Sequence, residues 1–324
     1  MPKISMRDAL RDALHEEMAR DETIFVMGED VIAHGGPYAV TRGIAEKYPG
    51  RIRQTPISEA GIVGTAVGAA LCGMRPVAEI MYVDFITCAM DEVVNQMAKI
   101  RYMFGGQTDV PVVLRLPSGS ARLIAAQHSQ CLESWFMHVP GLQVAVPATP
   151  YDAKGLMKSA LRGRDPVIFI EYKRMYTDEG EVPEGDYTIP FGLADVKREG
   201  QDVTIVATGP MVNKALEAAQ TLAQEDGIEV EIIDPRTLVP LDKKTIFASV
   251  EKTNRVIVTD EEVRRGGSGA EIASLISEEC FDALDAPVKR IASADVPMPF
   301  SPELEKLVIP KAENLVAAVR DLLG

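Results

Sequence analysis

The sequence predicts an α/β protein of two domains, residues 1–188 and 189–324. Three observations predict it. Apolar runs of strand length alternate with helix-length segments up to about residue 172, the pattern of a parallel sheet covered on both faces. Residues 174–200, opening on the acidic, proline- and glycine-bearing stretch Arg174-Met-Tyr-Thr-Asp-Glu-Gly-Glu-Val-Pro-Glu-Gly-Asp186, then break the alternation and read as a linker or domain-edge segment. A second alternation begins at Asp202, and 324 residues suit two domains better than one.

Residues 5–20 read as an amphipathic helix, with Ser5 and Asp8 at capping-box spacing and Ala9, Leu10, Ala13, Leu14 and Met18 as the apolar stripe. Strands are expected at 24–28, 76–80, 111–116, 143–146 and 167–172, with helices at 59–72, 84–104 and 150–162. Beyond the linker, strands are expected at 202–208, 228–233, 255–259 and 288–291, and helices at 210–225, 268–282 and 311–322.

Composition narrows the class. Hydrophobic residues make up 46% and charged residues 25%, as in an ordinary soluble globular protein with real cores. A net charge of −14 argues against a nucleic-acid partner and suits solubility or docking to a basic protein. Cys72, Cys88, Cys131 and Cys280 show no zinc-type or CxxC spacing and read as buried thiols of a reducing compartment. No run approaches the ~20 apolar residues of a membrane span, and Met1-Pro-Lys-Ile-Ser-Met-Arg-Asp8 has no secretory core, so a cytoplasmic protein without a membrane partner is expected.

One stretch stands apart. Thr55-Pro-Ile-Ser-Glu-Ala-Gly61 sets the carboxylate of Glu59 at the mouth of a helix made largely of glycine and alanine. Gly61, Thr65, Gly68 and Cys72 recur at helical spacing, leaving a face of little bulk that another backbone can approach. Each glycine costs a helix roughly 1 kcal/mol relative to alanine, so the face needs a packing reason. If Glu59 is buried, it needs a partner or an upward-shifted pKa.

The four histidines divide by context. His15 falls on the polar side of the first helix and reads as a surface residue, and His138 precedes a Val-Pro-Gly turn. His34 lies in a glycine-rich loop, and His128 in the irregular stretch between two expected strands, where a parallel sheet binds ligands. A histidine there suits acid–base work, and an ordinary satisfied histidine has the same sequence. No GxGxxG, P-loop, GxSxG or HExxH motif occurs. Arg264-Arg-Gly-Gly-Ser-Gly269 stands before a helix, where backbone N–H groups either cradle an anion or make a tight helix entry.

Several motifs in order carry a resemblance. They are Thr55-Pro-Ile-Ser-Glu59, the glycine–alanine helix ending Cys72-Gly-Met-Arg-Pro76, Arg101-Tyr-Met-Phe-Gly-Gly106 and Ala126-Gln-His-Ser-Gln130. Val139-Pro-Gly-Leu142, Thr149-Pro-Tyr-Asp-Ala-Lys-Gly-Leu156 and Asp234-Pro-Arg-Thr-Leu-Val-Pro-Leu-Asp242 continue it. Over residues 4–322 the chain resembles the β subunit of the thiamine-diphosphate-dependent 2-oxoacid dehydrogenases, whose branches act on pyruvate, branched-chain oxoacids or acetoin.

The resemblance implies an N-terminal pyrimidine-binding parallel-sheet domain and a C-terminal transketolase-like α/β domain. It implies a heterotetramer of two α and two β chains, with thiamine diphosphate at the α–β interface and its diphosphate and Mg2+ held mainly by α. Glu59 matches the glutamate that hydrogen-bonds the cofactor's aminopyrimidine; aspartate would be one methylene short and glutamine could not exchange a proton. Met81 and Phe85 match the pyrimidine pocket, and His128 the histidine that assists acyl transfer to the lipoyl arm of an acyltransferase. The carbonyls of Val112, Ala160, Leu161, Gly163 and Asp165 match a K+ site found in some members. Arg115-Leu-Pro-Ser-Gly119 and Cys131-Leu-Glu-Ser-Trp135 depart from the family pattern near the substrate side. A split transketolase-like subunit acting on sugar phosphates and a non-catalytic scaffold for an acyltransferase are the alternatives.

Overall fold

Parallel strands buried on both faces need near-continuous apolar runs, and Val167-Ile-Phe-Ile-Glu-Tyr172 is one such run, buried throughout. A computed structural model describes residues 1–120 and 123–324. The first half contributes β1 (Lys3–Ser5), β2 (Ile24–Gly28), β3 (Ile52–Gln54), β4 (Arg75–Glu79), β5 (Val113–Ser118), β6 (Gln143–Ala145), β7 (Val167–Tyr172) and β8 (Glu179–Glu181). The second contributes β9 (Asp195–Arg198), β10 (Val203–Ala207), β11 (Val230–Asp234), β12 (Thr237–Val239), β13 (Val256–Val263) and β14 (Lys289–Ser293).

The larger sheet runs β12-β6-β7-β5-β4-β2-β3 and the smaller β14-β13-β10-β11-β9. Within the larger sheet every pairing is parallel except that of β12 on β6. β12 arrives from the second half of the chain, so the two halves share a sheet edge. In the smaller sheet only β9 is antiparallel. β1 and β8 form a separate antiparallel pair.

The first helix spans Met6–Arg20; Ser5 Oγ accepts the N–H of Asp8 at 3.1 Å, and the Asp8 carboxylate turns to Arg11 at 2.6 Å. The capping box is therefore half formed. The glycine–alanine helix is Glu59–Leu71, and Gly61, Thr65, Gly68 and Cys72 are all exposed, so no backbone among the described residues covers the small-residue face. Pro150–Arg162 packs on the first helix.

Four expectations need correction. The helix expected at 84–104 is three short pieces, a 3₁₀ segment Val83–Ala89, a π-turn Glu92–Met97 and an α-turn Ile100–Met103. Thr87 Oγ1 donates to the Asp84 carbonyl at 3.0 Å, a side-chain bond that competes with regular helix. The linker at 174–200 contains β8 and β9 and is therefore built into two sheets. His15 is half-buried against Tyr48, with ring centroids 5.8 Å apart, and burial lowers its pKa. Cys72 and Cys88 are exposed; only Cys280 is fully buried. The pattern reading also misses helices Lys243–Thr253 and Pro302–Val308 and the short strands β3 and β12. Among the described residues no helix is long and apolar enough to cross a membrane.

Candidate active site at the strand ends

The carboxyl ends of β2, β4, β5 and β7 point to one region, where open parallel sheets bind ligands. Each end delivers a polar or aromatic group. Glu29 follows β2. Met81 and Phe85 follow β4, with Phe85 on the 83–89 segment. His128 sits on the loop after β5, and Lys173 follows β7. Glu59, after β3, opens the helix that packs against the 83–89 segment, and an acid in a first helical turn is favoured by the helix dipole.

Glu59 is half-buried. Its neighbour Glu29 is buried, and Glu29 Oε1 has no hydrogen-bond partner among the described residues. Burial raises the Glu29 pKa first, and the charge of Glu59 raises it further. The carboxyl that burial shifts upward here is thus Glu29, beside the one the sequence singles out. Behind it lies Glu79, also raised, chiefly by burial. Gly36 has φ +77°, and a Cβ there would lie 2.8 Å from Glu79 Oε1, so only glycine lets that loop close over the acid.

Phe85 and His128 meet edge to face at 5.4 Å, and Tyr82 meets His128 in the same manner at 4.9 Å. The imidazole is thus walled by two rings. Its loop is tied down at both ends. Gly119 N–H donates to the Gln130 carbonyl at 2.9 Å, and Asp84 Oδ1 accepts Gln130 N–H and Nε2 at 3.1 Å each. Lys173 Nζ donates to the His128 carbonyl and lies 5.1 Å from the Tyr82 ring centre. Burial lowers the Lys173 pKa to about 8. Gly119 has φ +77°, and a Cβ there would come within 2.7 Å of the Tyr172 ring. Ala125, at φ 57°, holds the strained turn just before His128.

Beneath the site, Arg115 is fully buried between two acids. Its Nε and Nη2 take both Glu171 oxygens at 2.7 and 2.6 Å, and Nη1 takes Glu79. Tyr176 Oη adds a bond to Glu171 at 2.6 Å. The family-like motifs at 149–152 and 234–236 meet each other at the seam between the halves. Asp152 accepts Arg236 Nε at 2.7 Å and Lys197 Nζ at 2.6 Å. These motifs are structural.

The Arg264–Gly269 run is closed to an outside anion by the chain's own acids. Glu262 Oε2 accepts Ser268 N–H at 2.7 Å, and Asp260 Oδ2 accepts Gly269 N–H at 3.1 Å. Of the five carbonyls matching a K+ site, those of Leu161 and Gly163 accept Arg75 Nη1 at 3.1 and 2.6 Å. The Val112 and Ala160 carbonyls accept the N–H groups of Val167 and Gly163 at 2.9 and 3.2 Å.

Sequence reasoning selects Glu59, Met81, Phe85 and His128, and all four lie in this region. It misses Glu29, Tyr82 and Lys173. For Glu29 and Lys173 the signal was a polar residue directly beyond an apolar strand run, which is where a parallel sheet presents its reactive end; Tyr82 carried none.

The fold and site define a transketolase-type chain. Residues 2–179 match the transketolase pyrimidine-binding domain, and residues 192–315 the transketolase C-terminal domain. A solved structure described as a split-gene transketolase, inactive β4 tetramer, superposes with a TM-score of 0.81 at 28% identity, covering 99% of this chain and 98% of that one. More specifically, the chain is 48% identical to the acetoin:2,6-dichlorophenolindophenol oxidoreductase subunit beta of Cupriavidus necator, over 98% of this chain and 97% of the relative. It is 48% identical to the pyruvate dehydrogenase E1 component subunit beta of Rickettsia felis, over 98% of each. The chain belongs to this family of dehydrogenase E1-type β subunits, oxidoreductase components built on the thiamine-diphosphate-dependent transketolase fold.

Proposed function

We propose that this chain is the β half of an α–β enzyme that decarboxylates a small 2-oxoacid, or cleaves acetoin, and passes the acyl group to the lipoyl arm of an acyltransferase. The observation that carries it is the convergence of Glu59, Phe85 and His128 at the strand ends, next to a buried carboxylate oxygen of Glu29 without a partner among the described residues. Thiamine diphosphate, when bound, supplies the nucleophilic carbon and the electron sink. Glu59 would hold the aminopyrimidine, with Met81 and Phe85 along the ring and the diphosphate and Mg2+ assigned to α.

The chain's own groups do the rest. Glu59 holds and moves a proton at its carboxylate. Glu29 beside it, its pKa raised by burial and by the Glu59 charge, keeps its own proton more readily than a free carboxylate. His128, set by its two ring neighbours and its anchored loop, serves proton transfer at the mouth. The exposed small-residue face of Glu59–Leu71 suits close approach by a helix of α. The five carbonyls at Val112, Ala160, Leu161, Gly163 and Asp165 are the proposed monovalent-cation site; K+ there would share two oxygens with the Arg75 guanidinium and be held weakly.

The test is purification with the α partner and assay of thiamine-diphosphate-dependent turnover on pyruvate, branched-chain oxoacids, acetoin and a ketose phosphate. Glu59→Gln is expected to cut turnover by about 10²–10⁴-fold, the usual worth of positioned proton transfer, with the melting temperature unchanged. Full activity in that variant, or turnover of the ketose phosphate alone, overturns the reading.

A further inference from the structure

Tyr82, which meets His128 and Phe85, also lines a cavity of about 740 Å³. Its described lining carries four cations, Arg7, Arg42, Lys173 and Arg174, and no carboxylate. That is unusual in a chain whose net charge is −14. Tyr38 and Tyr82 form its walls, with Tyr176 stacked on Tyr38 at 4.5 Å.

The cations are poorly answered. Arg42 is exposed and has no ion-pair or hydrogen-bond partner for its guanidinium among the described residues. Arg7 Nε is buried without a hydrogen bond, and the nearest acid, Asp8, stands 3.7 Å away and accepts Arg11. Lys173 bonds only neutral groups, the His128 carbonyl and the Tyr82 ring, with Asp84 the foremost of the acids acting on it from further off. Arg174 bonds the Ser120 carbonyl at 3.1 Å and is answered more loosely by two acids behind it, Glu261 at 3.6 Å and Glu305 at 3.7 Å. A concave wall of four cations, none of them bonded to a carboxylate at close range, concentrates anions, and the volume is that of a small-molecule site.

We propose that this cavity binds a small oxyanion-bearing molecule, through a carboxylate or phosphate group that is not the one lost in the reaction. The exclusion of the leaving carboxylate is physical. Decarboxylation moves negative charge off that group, so cations gathered around it stabilise the ground state and slow the step. The anion in the cavity is therefore either a second charged group on the substrate or a separate effector. The inference rests on the proposed function only in taking His128 as part of the active site.

Isothermal titration of the assembled α–β complex with malonate and with inorganic phosphate tests it. The expected result is one site per β chain, weakened at least tenfold in Arg42→Ala and further in Arg7→Ala/Arg42→Ala, with Lys244→Ala, outside the cavity, as control. Arg42 is exposed and unpaired, so its variant keeps the fold, checked by melting temperature. A kinetic arm separates the two sources. A second substrate charge shows as a KM advantage for 2-oxoacids with a distal carboxylate, lost in Arg42→Ala. An effector shows as a malonate- or phosphate-dependent change in pyruvate or acetoin turnover, lost in the same variant. No binding to the wild-type complex, equal binding in all variants, or capture of acidic peptides alone overturns the proposal. Wild-type thiamine-diphosphate-dependent turnover, measured in the same preparations, reports separately on the proposed function.

Discussion

Glu79 and Glu171 lie inside the larger sheet and both close on Arg115, whereas Glu29 and Glu59, at the neighbouring strand ends, have no ion-pair partner among the described residues. The two pairs are made of the same side chain in the same sheet. The difference is what answers the charge. A buried acid with a cation of its own chain belongs to the architecture, and breaking such a pair is costly because the remaining charge stays buried. Glu29, whose buried Oε1 has no partner among the described residues and which stands beside Glu59 at the strand ends, suits a site completed from outside. The seam between the halves repeats the first pattern, with Asp152 held by Arg236 and Lys197.

The largest test of this contrast is to cut the chain between the halves. A fragment of residues 1–188 keeps Asp152 but loses Arg236, Lys197 and the edge strand β12. It is expected to give no cooperative thermal transition, whereas the full chain does; a fragment with a sharp transition near that of the full chain would make the seam dispensable.

Arg115→Leu breaks the interior pattern without touching the cleft. Stability is expected to fall by about 3–5 kcal/mol, as for other buried pairs that lose one member. Two uncompensated carboxyls then take up protons on folding, so the loss grows as pH rises, and urea titrations at pH 5 and pH 8 measure it. A loss independent of pH would mean that packing, not charge, is what Arg115 supplies.

Glu133→Gln is the smallest perturbation. Burial first, and then the charge of Glu262, raise the Glu133 pKa to about 8. Glu262 itself accepts Ser134 N–H at 3.0 Å. An acid whose folded pKa lies above its unfolded value binds more protons when folded. Its cost to stability is therefore absent below the unfolded carboxylate range, accumulates from there as pH rises towards about 8 and is complete above it. The glutamine variant is expected to match the wild type at pH 5 and to melt a few degrees higher at pH 8.5. Equal melting temperatures at both pH values would show that the proton on Glu133 carries no stability.

Much of the fold was legible in the sequence because its signals are local. Apolar runs and their spacing place most strands and helices within a residue or two. Some failures were too short to carry a period, as with Ile52–Gln54 and Thr237–Val239, and some were locally overruled, as in 83–104; Lys243–Thr253, at 11 residues, was long enough to read and was missed all the same. The site divided in the same manner. Glu59 is legible because a carboxylate before a glycine helix is odd in itself. Glu29 and Lys173 are not, because a charged residue after a strand is commonplace until neighbouring strand ends are known to converge.

By itself the sequence determined the α/β class, the helix that Glu59 opens, its exposed small-residue face and the family to which the chain is similar. Only the tertiary structure decided which charges are answered. Arg115 finds Glu79 and Glu171 across 36 and 56 residues of chain, and Arg236 finds Asp152 across 84. Strand order, which no local pattern encodes, sets those meetings. It leaves Glu29 beside Glu59 and gathers Arg7, Arg42, Lys173 and Arg174 around one cavity.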